Sequence, residues 1–468
     1  MNKPQYLSNV HLPTAASTAA QPQPPSRLSS VLKFIVVTYL LGMVIFSVEQ
    51  FLTLPQNLGL VDFWNMLFIP VCWLYLIRIR QAIRFPLALG MWLILLGSFL
   101  GTFISTNPLV SIIFITKEVY LYVWFVTVTA VFTSLEPGLM RRILFVWTVV
   151  AVLHGILLVA EFVSPNFYVF VSSFLGRFGT IDTRYLPRSS GLFQNPVWAA
   201  LFELMGFVPL LLLGLRRELS LLLGMVLLLS ILATASLGSL TALLGASIVG
   251  VLLLLLMGGH LKFFVWLAVV LSLAAGLFLF TINQFPVVLS SLQNLTTERA
   301  AHTVGERLFL WGGGTQVLFS PQSILGVGPN NYRDFLENKT LHNDILEFGV
   351  ERGVIGLLGL LLLAGEALNS AVKILLNQIK SGNRVQLSGV IFLAMLFGIM
   401  LESNAHQIFH FRTVWLGMAL LEATYFGMIS PTIEVASSRV TRWGEKLQLP
   451  KISAPLSDRR DLPSVEAE

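Results

Sequence analysis

The stretch from Arg299 to Gly353 gathers groups that can grip an anion and move a proton. It reads TERAAHTVGERLFLWGGG, then SPQSILGVGPNNYRDF, then TLHNDILEFGVERGVIG. Arg307 and Arg333 carry planar forks that match phosphate oxygens two at a time, so a diphosphate is a sensible partner. His342, next to Asn343 and Asp344, can act as a base while its imidazole is neutral. Between them ILGVGPNN holds Gly326 and Gly328, which allow close backbone approach, and Pro329, which can open a short helix whose amides receive an anion. The same spacing also describes a plain turn.

The elements that must position these groups are membrane helices. With 55% hydrophobic residues, 12% charged residues and a mean hydropathy of +0.78, a chain of 468 residues cannot be a water-soluble globule. A crossing helix needs about 20 apolar residues. Candidate segments begin near Val31, Phe63, Pro86, Val110, Ile143, Val197, Leu219, Leu240, Phe263, Val354, Leu387 and Val414, about twelve in all. Such continuous runs satisfy their own backbone as helices and lack the alternation of barrel strands. The expected fold class is all-α, a polytopic helical bundle.

Lys and Arg set the expected orientation. With the N-terminus in the cytoplasm, inner segments hold twenty basic residues and outer segments nine, while Lys117 falls inside a span. The outer nine are Arg177, Arg184, Arg188, Arg299, Arg307, Arg333, Lys339, Arg352 and Arg412. The resulting organisation is a disordered cytoplasmic tail at 1–30, spans one to nine at 31–281 with a periplasmic loop at 164–196, and a periplasmic catalytic loop at 282–353. Spans ten to twelve follow at 354–428, with a cytoplasmic tail at 429–468. The first apolar run starts only at Val31 and is long enough to remain as a span, so no cleaved signal peptide is expected. Cys72 is the only cysteine, which excludes an intramolecular disulfide.

Eight of the nine outer basic residues lie in the two long loops. They suit either an anionic substrate or the headgroups of membrane lipids. Leu341 to Val350 has helical period, which predicts an amphipathic helix on the membrane surface ending near Gly353, with His342 in its first turn where the helix dipole favours the neutral ring. Ionisable residues within spans converge on the same side: Lys117 and Glu118 in the fourth, Glu161 in the fifth, Glu203 in the sixth and Glu402 in the eleventh. Each can face substrate or form a buried ion pair, such as Lys117 with a carboxylate on another span. His154, Glu366 and Glu422 receive no role.

GERLFLWGGG with Arg307, SPQSILGVGPNNY, and LHNDILEFGVERGVIG with His342 resemble the signature region of the O-antigen ligase/polymerase family of bacterial membrane glycosyltransferases. In that family an Arg-x-x-x-Trp element, a Gly-x-Gly turn and a His-Asn-x-x-Leu-Glu helix recur in this order. RSSGLFQNPVWAA, with Arg188, Gly191, Asn195 and Pro196, is similar to a second family element at the entry to a span. The likeness covers about residues 185 to 425 by motif. Asn195-Pro196-Val197 stands where the family often has Asn-Pro-Asn.

The resemblance implies metal-independent glycosyl transfer at the periplasmic face of the inner membrane, with no cofactor. The donor is a polyprenyl-diphosphate-linked glycan and the acceptor a growing glycan or lipid A-core; nucleic acid is not among the implied partners. Arg188 and Arg307, with Arg184 and Arg333, would hold the diphosphate, and His342 would take the acceptor's proton with Asn343 or Glu347 orienting it. Gly326, Gly328, Asn195 and Lys117 complete the expected substrate-contacting set. The rival reading is a polytopic solute or bicarbonate transporter, whose site would lie at the bilayer midplane between repeats. No repeat relates the two halves.

Overall fold

The computed structural model describes residues 27–47, 59–174, 188–257, 300–335, 341–381 and 387–428. Their regular elements are all helical. The N-terminal half comprises α1 (Arg27–Phe46), α2 (Leu60–Arg78), α3 (Ala88–Thr102), α4 (Pro108–Ser134), α5 (Pro137–Val163) and the short α6 (Pro165–Phe174). Then come α7 (Pro196–Leu212), α8 (Arg217–Thr234), α9 (Leu237–Leu256), α10 (Ala300–Leu318), α11 (Asp344–Lys380), α12 (Ser388–Ser403) and α13 (412–428). Eleven of the twelve expected segments coincide with helices; the segment near Phe263 lies outside the described residues, as do 282–299 and the tails at 1–26 and 429–468. Among the described residues, α2, α4, α5, α8, α9 and α11 are long and apolar enough to cross a membrane, and α1, α3, α7 and α12 are shorter apolar helices.

The starts follow local chemistry. α4, α5 and α7 each open on a proline, whose missing N–H costs nothing at a first turn. Asn107, Asn195 and Asn343 cap α4, α7 and α11 by accepting from Val110 N, Val197 N and Leu346 N. α11 is broken at Gly353, whose φ of +65° and ψ of −169° are not helical. The expected end of the pre-span helix at Gly353 is therefore a kink inside one long element. The segment before the kink is no surface helix: Asp344, Glu347, Glu351 and Arg352 are all buried, because α3, α4 and the 325–331 turn close over it.

That turn sets the backbone of the site. Val327 N and Gly328 N donate to the carbonyls of Val350 and Glu351, both at 2.9 Å, where the approaching kink leaves carbonyls unpaired. Gly326 has φ +80°, and a Cβ there would fall 2.3 Å from the Glu351 carbonyl oxygen. Gly326→Ala is accordingly expected to cost well over about 1 kcal/mol. Thermal unfolding in detergent should show a clear loss for Gly326→Ala and none for Gly305→Ala, whose Cβ would meet nothing within 4 Å.

Charges in the spans pair with one another. Arg352, wholly buried, donates through Nε to Glu118 Oε1 at 3.0 Å and through Nη1 to Glu351 Oε2 at 2.7 Å, with Phe348 stacked 4.1 Å from its guanidinium. Arg412 donates through Nε to Asp62 at 2.7 Å. Both arginines were counted among the nine outer basic residues, and Arg352 also in the loop set read as suiting an anion; both are instead committed to carboxylates, Arg352 to Glu118 of α4 and Arg412 to Asp62 of α2. The Lys117 ammonium lies over the Phe114 ring at 4.6 Å.

The connections α3–α4, α8–α9 and α12–α13, with residues 188–195, 320–335 and 341–343, gather at one end. Asn331 accepts from Thr106 and from Asn107 N, Gln407 donates to Tyr332, and Ile408 N donates to Asp344. These are the connections that the charge count assigns to the outside.

Candidate functional site

On α10, Arg307 and Trp311 are four residues apart and share one face. Trp311 Nε1 donates to the Leu341 carbonyl at 3.0 Å, and the buried Leu341 side chain sits where Gly314 leaves room. The Arg-x-x-x-Trp spacing thus ties α10 to the residue immediately before His342. His342 itself has φ +51° and precedes the capping Asn343, so it stands outside the helix rather than in its first turn. Its neutrality has another origin than the helix dipole. Burial, then the neighbouring His406 and Arg307, and also Arg333, push its pKa down to about 4, against a smaller opposing pull from Glu306.

His406, between α12 and α13, completes the centre. Its ring meets the His342 ring edge to face, with centroids 6.3 Å apart. Arg307 Nη2 donates to His406 Nε2 at 3.2 Å. Because a guanidinium can only donate, the imidazole proton must sit on Nδ1, which donates to Glu402 Oε1 at 2.7 Å. Ser239, in the first turn of α9, donates to the same oxygen at 3.1 Å. The path continues through Ser236 and Thr234 to Arg188, whose Nε donates to the Thr234 carbonyl at 3.0 Å. A chain of hydrogen bonds around the α8–α9 turn and the residues after α12 thus links Arg188 to Arg307, with the His342 ring against His406.

The turn carrying Arg188 is anchored by the acids that sequence placed on this side. Glu161 Oε2 accepts from Ser190 N and Gly191 N at 3.1 and 3.0 Å. His154, unassigned from sequence, accepts from Leu192 N through Nε2 at 3.2 Å and donates through Nδ1 to Glu203 at 2.6 Å. Asn195 is the α7 cap described above. Arg184 lies outside the described residues.

Arg333 is half-buried near His342, and its Nε has no hydrogen-bond partner among the described residues. Glu347 is buried with one carboxylate oxygen likewise unpartnered, and Asn343 Nδ2 reaches the Asn404 carbonyl at 3.5 Å. Gly326 and Gly328 form the plain turn rather than a helix start. Its amides are spent within the protein, Asn330 N on Glu351 Oε1 at 2.6 Å, and Lys117 is on α4. Sequence reasoning named Glu402 but missed His406. The signal was present in ESNAH, a carboxylate and a histidine four apart at the end of a span.

This constellation offers a neutral base beside several cations on short tethers, an arrangement suited to a substrate with an anionic leaving group and a hydroxyl nucleophile. The O-antigen ligase family model matches residues 222–361, a stretch that includes Arg307, Arg333 and His342, and supports the resemblance drawn from the motifs. Arg188, Glu402 and His406 lie beyond that stretch. No curated protein matches the chain.

Proposed function

We propose that the chain, which carries an O-antigen ligase family region at 222–361 in a multi-pass helical fold, moves a glycan from a polyprenyl-diphosphate donor to a hydroxyl of a growing glycan or of lipid A-core. The observation that carries this reading is the neutral His342 held against His406 and Arg307. Arg307, Arg333 and Arg188 hold the diphosphate and balance the charge that builds on it as the glycosidic bond breaks. His342 accepts the proton of the attacking hydroxyl. Direct attack of that hydroxyl at the anomeric carbon inverts the configuration. The reaction takes place at the end of the bundle where these residues gather, assigned to the periplasmic side by the Lys/Arg distribution.

The test is transfer by purified protein in nanodiscs, given a polyprenyl-diphosphate oligosaccharide with lipid A-core or with further donor. Labelled lipid A-core marks a ligase, and a ladder of lengthened lipid-linked chains marks a polymerase. Absence of transfer to either acceptor, with solute uptake by proteoliposomes, overturns the proposal in favour of transport.

The pH dependence should carry the signature of His342. With its pKa lowered to about 4, the ring is a competent base above that pH and is lost by protonation only below it. The acid limb of kcat/KM, which reports the free enzyme, is expected well below the usual histidine value of about 6.5. A bound diphosphate cancels part of the field from Arg307 and Arg333, so the corresponding limb of kcat should lie at higher pH. A kcat/KM limb near 6.5 would rule out a base in this setting.

A further inference from the structure

His406 has no step in the reaction proposed above, yet it stands between Arg307 and Glu402, bonded to both. We propose that His406 is a positioning residue acting as a spacer: it orients Arg307 towards the donor's diphosphate and denies the guanidinium a direct pair with Glu402. The inference rests on the diphosphate-donor reading and deepens it.

An Arg–carboxylate pair is the strong bidentate contact available to a guanidinium, and it would use the same fork that grips phosphate. Glu402 is fully buried and keeps acceptor capacity in hand, since its Oε2 has no hydrogen-bond partner among the described residues. His406 covers Oε1 with its Nδ1–H and takes one Arg307 N–H on Nε2. The remaining N–H groups of Arg307 have no side-chain partner among the described residues. Burial works against the Arg307 charge while Glu402, one imidazole away, supports it, so the carboxylate steadies the cation without neutralising it. The spacer is wedged in place. A Cβ on Gly238 would come within 2.8 Å of His406 Cε1, and His342 stands edge-on to the ring from its own segment.

The experiment measures undecaprenyl diphosphate binding to full-length protein in nanodiscs, with thermal unfolding recorded for every variant. His406→Ala should weaken binding on the order of tenfold to a hundredfold as Arg307 turns onto Glu402. Adding Glu402→Gln to His406→Ala should bring affinity back to within about threefold of wild type, because the competing acid is gone. His406→Gln should stay close to wild type, since its amide can accept from Arg307 and donate to Glu402. In turnover, His406→Ala should raise the donor KM more than it lowers kcat, His342 being intact. His406→Ser gives the same comparison if His406→Ala fails to reach the membrane.

A double variant no better than His406→Ala overturns the spacer, as that is the result of a merely structural histidine. Wild-type protein that does not bind undecaprenyl diphosphate overturns the donor reading and the spacer with it. Wild-type binding without rescue removes the spacer alone.

Discussion

His342→Ala is expected to cut glycan transfer by about 100- to 10,000-fold while leaving undecaprenyl diphosphate binding within a few-fold of wild type. The two effects separate because the ring is neutral: its pKa is held down to about 4, so removing it takes no charge from the field that attracts the diphosphate. Arg307 keeps its bond to His406, and Trp311 keeps its bond to the Leu341 carbonyl, so α10 stays docked. The φ of +51° at this position strains alanine, and His342→Asn, a residue that tolerates left-handed backbone, supplies the folding control. Single-turnover measurements with preformed donor complex should show the loss in the chemical step. Wild-type turnover by either variant would remove His342 as the base.

The second large effect is on stability. Arg352→Ala should destabilise the protein by about 3–5 kcal/mol, since it strands Glu118 and Glu351 as buried carboxylates without their shared cation. Ser98 still donates to Glu118 at 2.9 Å and Asn330 N to Glu351 at 2.6 Å, but two single donors do not replace a guanidinium. The thermal unfolding temperature should fall sharply and membrane levels with it. Arg352→Met combined with Glu118→Gln should lose less than Arg352→Ala, because no full charge is then abandoned on α4. Equal loss in the two variants would mean that the guanidinium's stacking on Phe348 and its hydrogen bond to Glu351, not the balance of charge with Glu118, hold this region.

Much of this was legible in the sequence, and the failures have physical causes. Continuous apolar runs locate eleven helices because a backbone in lipid has few other ways to satisfy itself. The glycines at 326 and 328 announce a tight turn, and the turn exists. His342 was misplaced by a residue or two because periodicity cannot see that Asn343 caps the helix and leaves its predecessor outside. Arg352 was misjudged more seriously. A loop charge count uses neighbours in the chain, whereas its partner Glu118 is 234 residues away. His406 was overlooked because its meaning comes from Arg307, which reaches it from a different helix.

The seam between α3 and α11 has an effect beyond packing. A Cβ on Gly97 would fall 2.5 Å from the Arg352 carbonyl oxygen, one on Gly101 2.8 Å from that of Glu351, and one on Gly359 2.6 Å from Ile94 N. Main chain therefore rests on main chain along this line, without side chains to absorb a change. The same helix, α11, runs from this seam through the kink at Gly353 to the cap at Asn343, next to His342. Enlarging Gly97 or Gly359 should move the base from a distance. A genetic screen scored only by glycan output would mark these glycines as if they belonged to the proposed reaction, although each packs against backbone of the opposing helix.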